Sequence, residues 1–267
     1  VHRAGPVPGP QRRGLIGSVL PAAAVAAESF GDVPPPGPPL PPAEELAMRT
    51  AGPRRRAEFA AARWCARTAL AGLGIAAADI PPGPAGEPRW PAGVTGSITH
   101  CRGYRACAVA RAADVPAIGI DAEPDEGLPA GLIEAATTAA ERAWIRRLAA
   151  SAPVVCWERL VFSAKEAAGK LWYPLTGCWP GPGGLAVSGA TAAADAAGAA
   201  GAAGSFAVRL PRAGPAPGGM PRTLTGRWLA RGGLIVTAIA WSPAGPEPPA
   251  RPEPPAGRAA PASPAGR

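Results

Sequence analysis

Apolar positions recur along this chain with two periods, and the switches between them outline its elements. From Arg54 the sequence RRRAEFAAARWCARTALAGLG sets Phe59, Ala62, Ala66, Ala69 and Leu73 at helical spacing and closes on Gly74. The period then shortens to two. VTGSITHCRGYRACAVA, residues 94 to 110, alternates small, β-branched and apolar residues and breaks at Arg102-Gly103, which predicts a β-hairpin. IGIDAEP, residues 118 to 124, predicts a short buried strand. Residues 132 to 149 return to helical spacing through Leu132, Ala136, Trp144 and Leu148, in two pieces, and residues 154 to 173 form a second helical run. Around LAVSGA the segment 180 to 205 reads as a strand and a loose loop, SFAVRL as a strand, and residues 226 to 241 as a hairpin turning at Gly232-Gly233. A helix followed by a hairpin thus occurs in each half, a sign of two similar lobes.

The second helical run carries the only two lysines of the chain, Lys165 and Lys170, in FSAKEAAGKLWYP. At about 100° per residue, Glu166, Gly169, Lys170 and Tyr173 share one face and Ala164, Ala168 and Leu171 the other. Glu166 and Lys170 are helical neighbours, and Pro174 is expected to end the helix. On the strand at 118 to 124, Asp121 and Glu123 are two apart and point to one side. Carboxylates held together repel unless a cation lies between them or one takes a proton, and hard oxygen ligands in that number suit magnesium. His100 ends the first strand of the earlier hairpin beside Ser97 and Thr99, where it could meet an anion. Taken singly, each feature also fits a plain structural role: a solvated ion pair, an acidic turn, a structural histidine.

Composition narrows the classes. The chain has 267 residues and a net charge of +8, with a pI near 10.1, yet its arginines are scattered apart from Arg54, Arg55 and Arg56. Arg56, Arg63 and Arg67 fall on one helical flank, where guanidinium groups can grip phosphate. Aromatics are 5% and do not interleave with arginine as stacking platforms for nucleic acid would. The charge equally suits a polyanionic cofactor or an acidic protein partner, and without such platforms no nucleic-acid partner is expected. The five cysteines show neither a disulfide framework nor zinc spacing, which suggests a cytoplasmic protein with reduced thiols. Arg12-Arg13 followed by LIGSVLPAAAVAA has the outline of a secretory signal, but Pro21 interrupts it. No apolar run approaches the roughly 20 residues of a membrane span, so no membrane partner is expected. DVPPPGPPLPP, residues 32 to 42, reads as an extended connector. Expected boundaries are a disordered N-terminus at 1–14, lobes at 15–117 and 118–241, and a disordered Pro/Ala-rich tail at 242–267.

Three separated segments, GEPRWPAGVTGSITHC, IGIDAEP and FSAKEAAGK, together resemble the three motifs of the Sfp/EntD-type 4'-phosphopantetheinyl transferases, and most closely the actinobacterial, siderophore-synthetase-associated branch. The match runs from about Leu15 to Trp241. The resemblance implies an α+β fold of two pseudo-symmetric lobes with coenzyme A in the cleft between them. It implies transfer of the phosphopantetheine arm to a serine of an apo acyl, aryl or peptidyl carrier protein, with release of adenosine 3',5'-bisphosphate. By motif position, Asp121, Glu123 and Glu166 would ligate Mg2+, and Glu166 would be the candidate general base, directly or through a metal-bound water. Lys170, with Lys165 beside it, would hold the pyrophosphate and stabilise the leaving group. His100 with Thr99 would meet the 3'-phosphate end, Arg55 and Arg63 the phosphates, and Gly86, Glu87 and Pro88 the adenine side. Gly169 departs from the larger, often aromatic residue of relatives, and Pro82 and Ala85 stand where they often carry lysine. These departures motivate one alternative, a catalytically weak relative that binds coenzyme A or a carrier protein without turnover. Two fused lobes would let the chain act as a monomer.

Overall fold

The computed structural model describes residues 14–31, 37–76, 78–181, 184–192, 201–211 and 219–243. The expected terminal segments fall almost wholly outside these, as does the first part of the proline-rich connector.

Two antiparallel sheets each carry a 20-residue helix. The first sheet has the order β1-β3-β2, from β1 (Ala24–Phe30), β2 (Val94–Cys101) and β3 (Tyr104–Arg111). The second has the order β4-β8-β7-β6-β5, from β4 (Ala117–Pro124), β5 (Ala186–Ala192), β6 (Ala202–Arg209), β7 (Thr223–Arg231) and β8 (Leu234–Trp241). Helix α1 (Pro42–Ala47) precedes α2 (Pro53–Gly72), which packs on β1 and β3. After the short α3 (Leu132–Ala136) and α4 (Ala139–Ser151), the long α5 (Trp157–Thr176) packs on β4 and β8. Both hairpins turn where expected, with Gly103, Gly232 and Gly233 at positive φ.

Three apolar clusters follow from strand alternation. On β3, Cys107 and Val109 face α2 with Cys65, Ala66, Ala69 and Leu70. Its alternate residues Tyr104, Ala106, Ala108 and Ala110 face the other way and join Ile118, Ile120 and Ala122 of β4. Leu15, Ile16, Val19 and Leu20 close this second cluster. The segment with the outline of a secretory signal is therefore core, and its small-residue end is β1, paired along β3 from Ala24↔Ala110 to Phe30↔Tyr104. The third cluster seats Leu160, Ala164, Ala168 and Leu171 of α5 against Phe206, Trp228 and Ile239.

The two sheets meet edge to edge at β2 and β4 through hydroxyl groups in place of a backbone ladder. Ile120 N donates to Ser97 Oγ at 3.1 Å and Ala122 N to Thr99 Oγ1 at 2.9 Å. Side chains thereby satisfy edge groups that would otherwise be buried unpaired.

One local expectation is corrected. Helix α5 does not stop at Pro174 but runs on to Thr176 and ends on Gly177, whose left-handed φ of 67° lets its N–H reach Tyr173 O at 2.8 Å. A proline in the last turn forfeits one hydrogen bond without ending the helix. Helix α1 begins at the last residue of the connector and buries Glu44, whose two oxygens each accept from Arg67 Nη1 at 3.0 Å while Ile80 N donates at 2.8 Å.

Candidate active site

Helix α5 reaches β4 at backbone contact because β4 has a glycine there. A Cβ on Gly119 would lie 1.9 Å from Ala167 O. One turn along, that approach sets the polar stripe of α5 over the carboxylates of β4. Positions 159, 163, 166 and 170 recur at three, four and seven residues and so line one side of the helix. Opposite them stand Asp121 and Glu123, which face α5 because Ile120 and Ala122 face the other core.

Each β4 carboxylate already holds a cation from this stripe. Lys170 Nζ donates to Asp121 Oδ1 at 2.7 Å. Arg159 Nη1 donates to Glu123 Oε2 at 3.0 Å. Thr99 Oγ1 donates to Asp121 Oδ1 at 3.1 Å while accepting from Ala122 N, with Lys170 Nζ at 3.4 Å. Asp121 is 4% exposed, and its second oxygen, Oδ2, is buried with no hydrogen-bond partner among the described residues. Glu123 is pushed up to about 7 by burial and then by Asp121, with Arg159 and Lys170 acting the other way. Glu166 is likewise raised by burial and by Asp121, against Lys170.

These are the marks of a site short of positive charge. An orphaned carboxylate oxygen and two acids pushed toward neutrality beside it fit a hard divalent cation, for which oxygen donors are the right chemistry. Among the described residues, no three His, Cys, Asp or Glu side chains are already gathered tightly enough to hold an ion alone. The expected trio is thus a set of coupled charges held by Lys170 and Arg159, not a closed cage.

The remaining expected site residues divide. Arg55 Nη1 lies 3.4 Å from His100 Nε2, so α2 and β2 bring that pair together at the surface. Partial desolvation, then Arg55 and Lys170, lower the pKa of His100. Thr99 does not join them. It is 1% exposed on the opposite side of β2, and its single donor and both acceptor positions are taken within the protein. Arg63 is also withdrawn: it is 4% exposed, stacks 4.2 Å from the Phe59 ring centroid and donates from Nε to Ile80 O at 2.7 Å. Burial lowers its pKa to about 10. The flank mates of Arg63 are spent too, Arg67 on Glu44 and Arg56 on Glu45. Gly86, Glu87 and Pro88 form a tight loop closed by the Pro82↔Pro88 bridge, with Gly86 at φ 84° and Glu87 Oε2 accepting from Ala85 N at 2.9 Å.

Lys165 does not stand beside Lys170. Its ammonium is buried, donating to Glu141 Oε2 at 2.9 Å and to Ala136 O at 2.7 Å. Five residues on a helix turn a side chain through about 140°, so two lysines so spaced cannot share a face. Glu141 also caps α4 in a box with Thr138 and accepts from Val187 N at 2.9 Å. Burial opposes its charge, but the Thr138 N–H, Lys165 and the Val187 N–H outweigh burial and lower its pKa. For Lys165 burial wins over the pair, and its pKa is lowered. The two shifts differ in meaning because the carboxylate has more partners than the ammonium.

Arg159 and Trp179 escaped the sequence reading. Arg159 lies seven residues before Glu166, which was the available signal. Trp179 lies over Gly169, where an added Cβ would meet its ring at 2.8 Å, and is 47% exposed. The space left open on the helix at Gly169 is thus filled by a ring from the following loop, and no spacing rule predicts that. Two surface cavities, of about 520 and 530 Å³, are lined on one side by residues 14 to 28 and include none of the three carboxylates.

The mixed α+β fold gathers three acids near Lys170 and Arg159 and sets Arg55 with His100 apart from them. Comparison with known proteins makes the family explicit. Residues 43–110 match the 4'-phosphopantetheinyl transferase N-terminal domain, and residues 117–209 match the 4'-phosphopantetheinyl transferase superfamily. Similar proteins include the 4'-phosphopantetheinyl transferase Svp of Streptomyces mobaraensis, 46% identical over 234 residues, covering 86% of this chain and 91% of that protein. The 4'-phosphopantetheinyl transferase PptT of Mycobacterium tuberculosis is 42% identical over 231 residues, covering 84% and 97%. The corresponding enzyme Npt of Nocardia iowensis is 40% identical over 203 residues, covering 75% and 89%. The chain belongs to the 4'-phosphopantetheinyl transferase superfamily.

Proposed function

We propose that this chain transfers the phosphopantetheine arm of coenzyme A to the serine of an apo acyl, aryl or peptidyl carrier protein of a non-ribosomal peptide or polyketide synthase, releasing adenosine 3',5'-bisphosphate. The observation that carries the reading is Asp121, buried with one oxygen paired to Lys170 and Thr99 and the other unpartnered beside two acids of raised pKa. Asp121, Glu123 and Glu166 would hold Mg2+, whose charge would neutralise pyrophosphate oxygens when bound.

The protein's own groups supply the rest. Glu166, which shares a face of α5 with Lys170, would accept the proton of the carrier serine. Lys170 can turn from Asp121 to the bridging oxygen as negative charge develops there. Arg55 and His100 form the outer anchor for the 3'-phosphate. The loop of Gly86, Glu87 and Pro88 would flank the adenine. Positioning and charge, more than covalent participation, would provide the acceleration, as phosphoryl chemistry generally requires.

In this reading the helix–sheet units at 15–117 and 118–241 act as pseudo-symmetric lobes with coenzyme A in the cleft between them, and the chain works as a monomer. All five cysteines are free, in keeping with a cytoplasmic setting. No helix among the described residues is long and apolar enough to cross a membrane. The test is intact-mass analysis of a panel of apo carrier proteins after incubation with the chain, Mg2+ and coenzyme A. The expected result is a mass gain of one phosphopantetheine on at least one carrier. Tight coenzyme A binding with no gain on any carrier would overturn it in favour of a binding protein without turnover.

A further inference from the structure

Arg159 is 7% exposed, and each nitrogen of its guanidinium has a separate partner. Nη1 donates to Glu123 Oε2 at 3.0 Å, Nε to Glu126 O at 2.9 Å and Nη2 to Gly127 O at 2.5 Å. The backbone around those carbonyls is tied to the same end of α5. Cys156 N donates to Asp125 Oδ1 at 2.8 Å, and Leu128 N to Glu158 Oε1 at 2.8 Å. On its other side, Asp125 N donates to Gly233 O at 2.9 Å. The turn leaving β4 is therefore fixed to the first turns of the helix that carries Glu166 two turns further on.

We infer that Arg159 is a positioning residue that presets Glu123 for the divalent cation by locking its carboxylate and the following turn to α5. The inference rests on the proposed metal-dependent transfer and extends it to a residue outside the three motifs. A glutamate side chain has three rotatable bonds, and a free one spends most of its time elsewhere. The clamp uses Oε2 alone and draws its rigidity from two backbone carbonyls, a planar three-point arrangement that a guanidinium can make and an ammonium cannot. Partners that orient a metal-binding carboxylate commonly govern metal affinity by about 10- to 100-fold.

The experiment is a Mn2+ titration of the full chain with coenzyme A present, followed by electron paramagnetic resonance, on the unaltered protein and on Arg159→Ala, Arg159→Gln and Arg159→Lys. Expected is Mn2+ binding weaker by about 10- to 100-fold for Ala and Gln, with partial recovery for Lys, which keeps a cation for Glu123. In the transfer assay the half-saturating Mg2+ concentration should rise by a similar factor, while the KM for coenzyme A stays within about twofold at saturating Mg2+. If Arg159→Ala fails to fold, Arg159→Gln carries the test, since its amide can still donate to the Glu126 carbonyl. Mn2+ binding unchanged in a folded Ala or Gln variant overturns the role of Arg159. An unaltered chain that neither binds Mn2+ with coenzyme A nor modifies a carrier overturns the functional reading itself, and the two failures are thereby distinct.

Discussion

Gly119→Ala should separate the two halves of the site without touching any ionisable group. The new Cβ would lie 1.9 Å from Ala167 O and 2.8 Å from Leu171 N, whereas ordinary contact begins near 3.4 Å. Both opposing atoms belong to helix backbone, so no rotamer change can relieve the clash. Helix α5 must withdraw by about 1.5 Å or β4 must bend by as much. Lys170 Nζ, 2.7 Å from Asp121 Oδ1, would then fall outside hydrogen-bond reach, and Glu166 would move with it. Overpacking of this kind costs about 1–3 kcal/mol. A displacement of about 1 Å in reacting groups costs about 100-fold in rate. The assays are the denaturant midpoint at unchanged m-value and the initial rate of carrier modification by intact mass. Gly52→Ala is the control, because among the described residues nothing lies within 4 Å of its Cβ and its φ is −66°; as the N-cap of α2 it should lose no more than about 1 kcal/mol and keep the native rate. A Gly119→Ala protein with the native midpoint and a rate within about threefold of native would refute the claim that this contact sets the site.

The other predictions concern the polar groups around the site and the buried pair behind it. Lys165→Met leaves Glu141 charged and without its cation, and should cost about 3–5 kcal/mol by denaturant unfolding, as broken buried pairs do. The lowered pKa of Glu141 means that its contribution is fully present above the unfolded carboxylate value and is lost as pH falls through the folded value. Glu141→Gln should therefore flatten the acid limb of the stability-versus-pH curve, and an unchanged limb would count against the assignment. Thr99→Val keeps shape but strips a partner from Asp121 and from the Ala122 N–H, and should cost about 1–3 kcal/mol in the same assay. His100→Ala should raise the Kd for coenzyme A in calorimetry while leaving the melting temperature unchanged. With its pKa lowered, His100 is neutral at pH 7 and gains charge only on acidification. Coenzyme A binding to the unaltered protein should therefore tighten toward acid pH, and the variant should lose that increment.

Much of the fold was legible because periodicity is local. The hairpin turns at Arg102-Gly103 and Gly232-Gly233, the two pieces between 132 and 149, and the strand at 118 to 124 all announce themselves in spacing and turn chemistry. The opposed faces of α5 were legible for the same reason: Ala164, Ala168 and Leu171 are buried, while Glu166 and Lys170 remain partly exposed. Strand β1 was not legible, because AVAAESF is too poor in β-branched residues to be recognised until β3 pairs with it. Helix α1 was hidden by the prolines before it, and it stands because Glu44 is needed by Arg67 and Ile80.

For the site, the sequence alone determined which side chains leave each element in the same direction: Asp121 with Glu123, and Glu166 with Lys170. Only the tertiary structure decided what each direction meets. Lys165 and Lys170, equal as sequence, went to Glu141 and Asp121 because they leave the helix about 140° apart toward different neighbours. Arg55 and Arg63, equal as candidate phosphate contacts, ended beside His100 and against Phe59. The physical reason is that periodicity fixes the angle of a side chain about its own axis, whereas burial, pairing and charge depend on the element packed across from it.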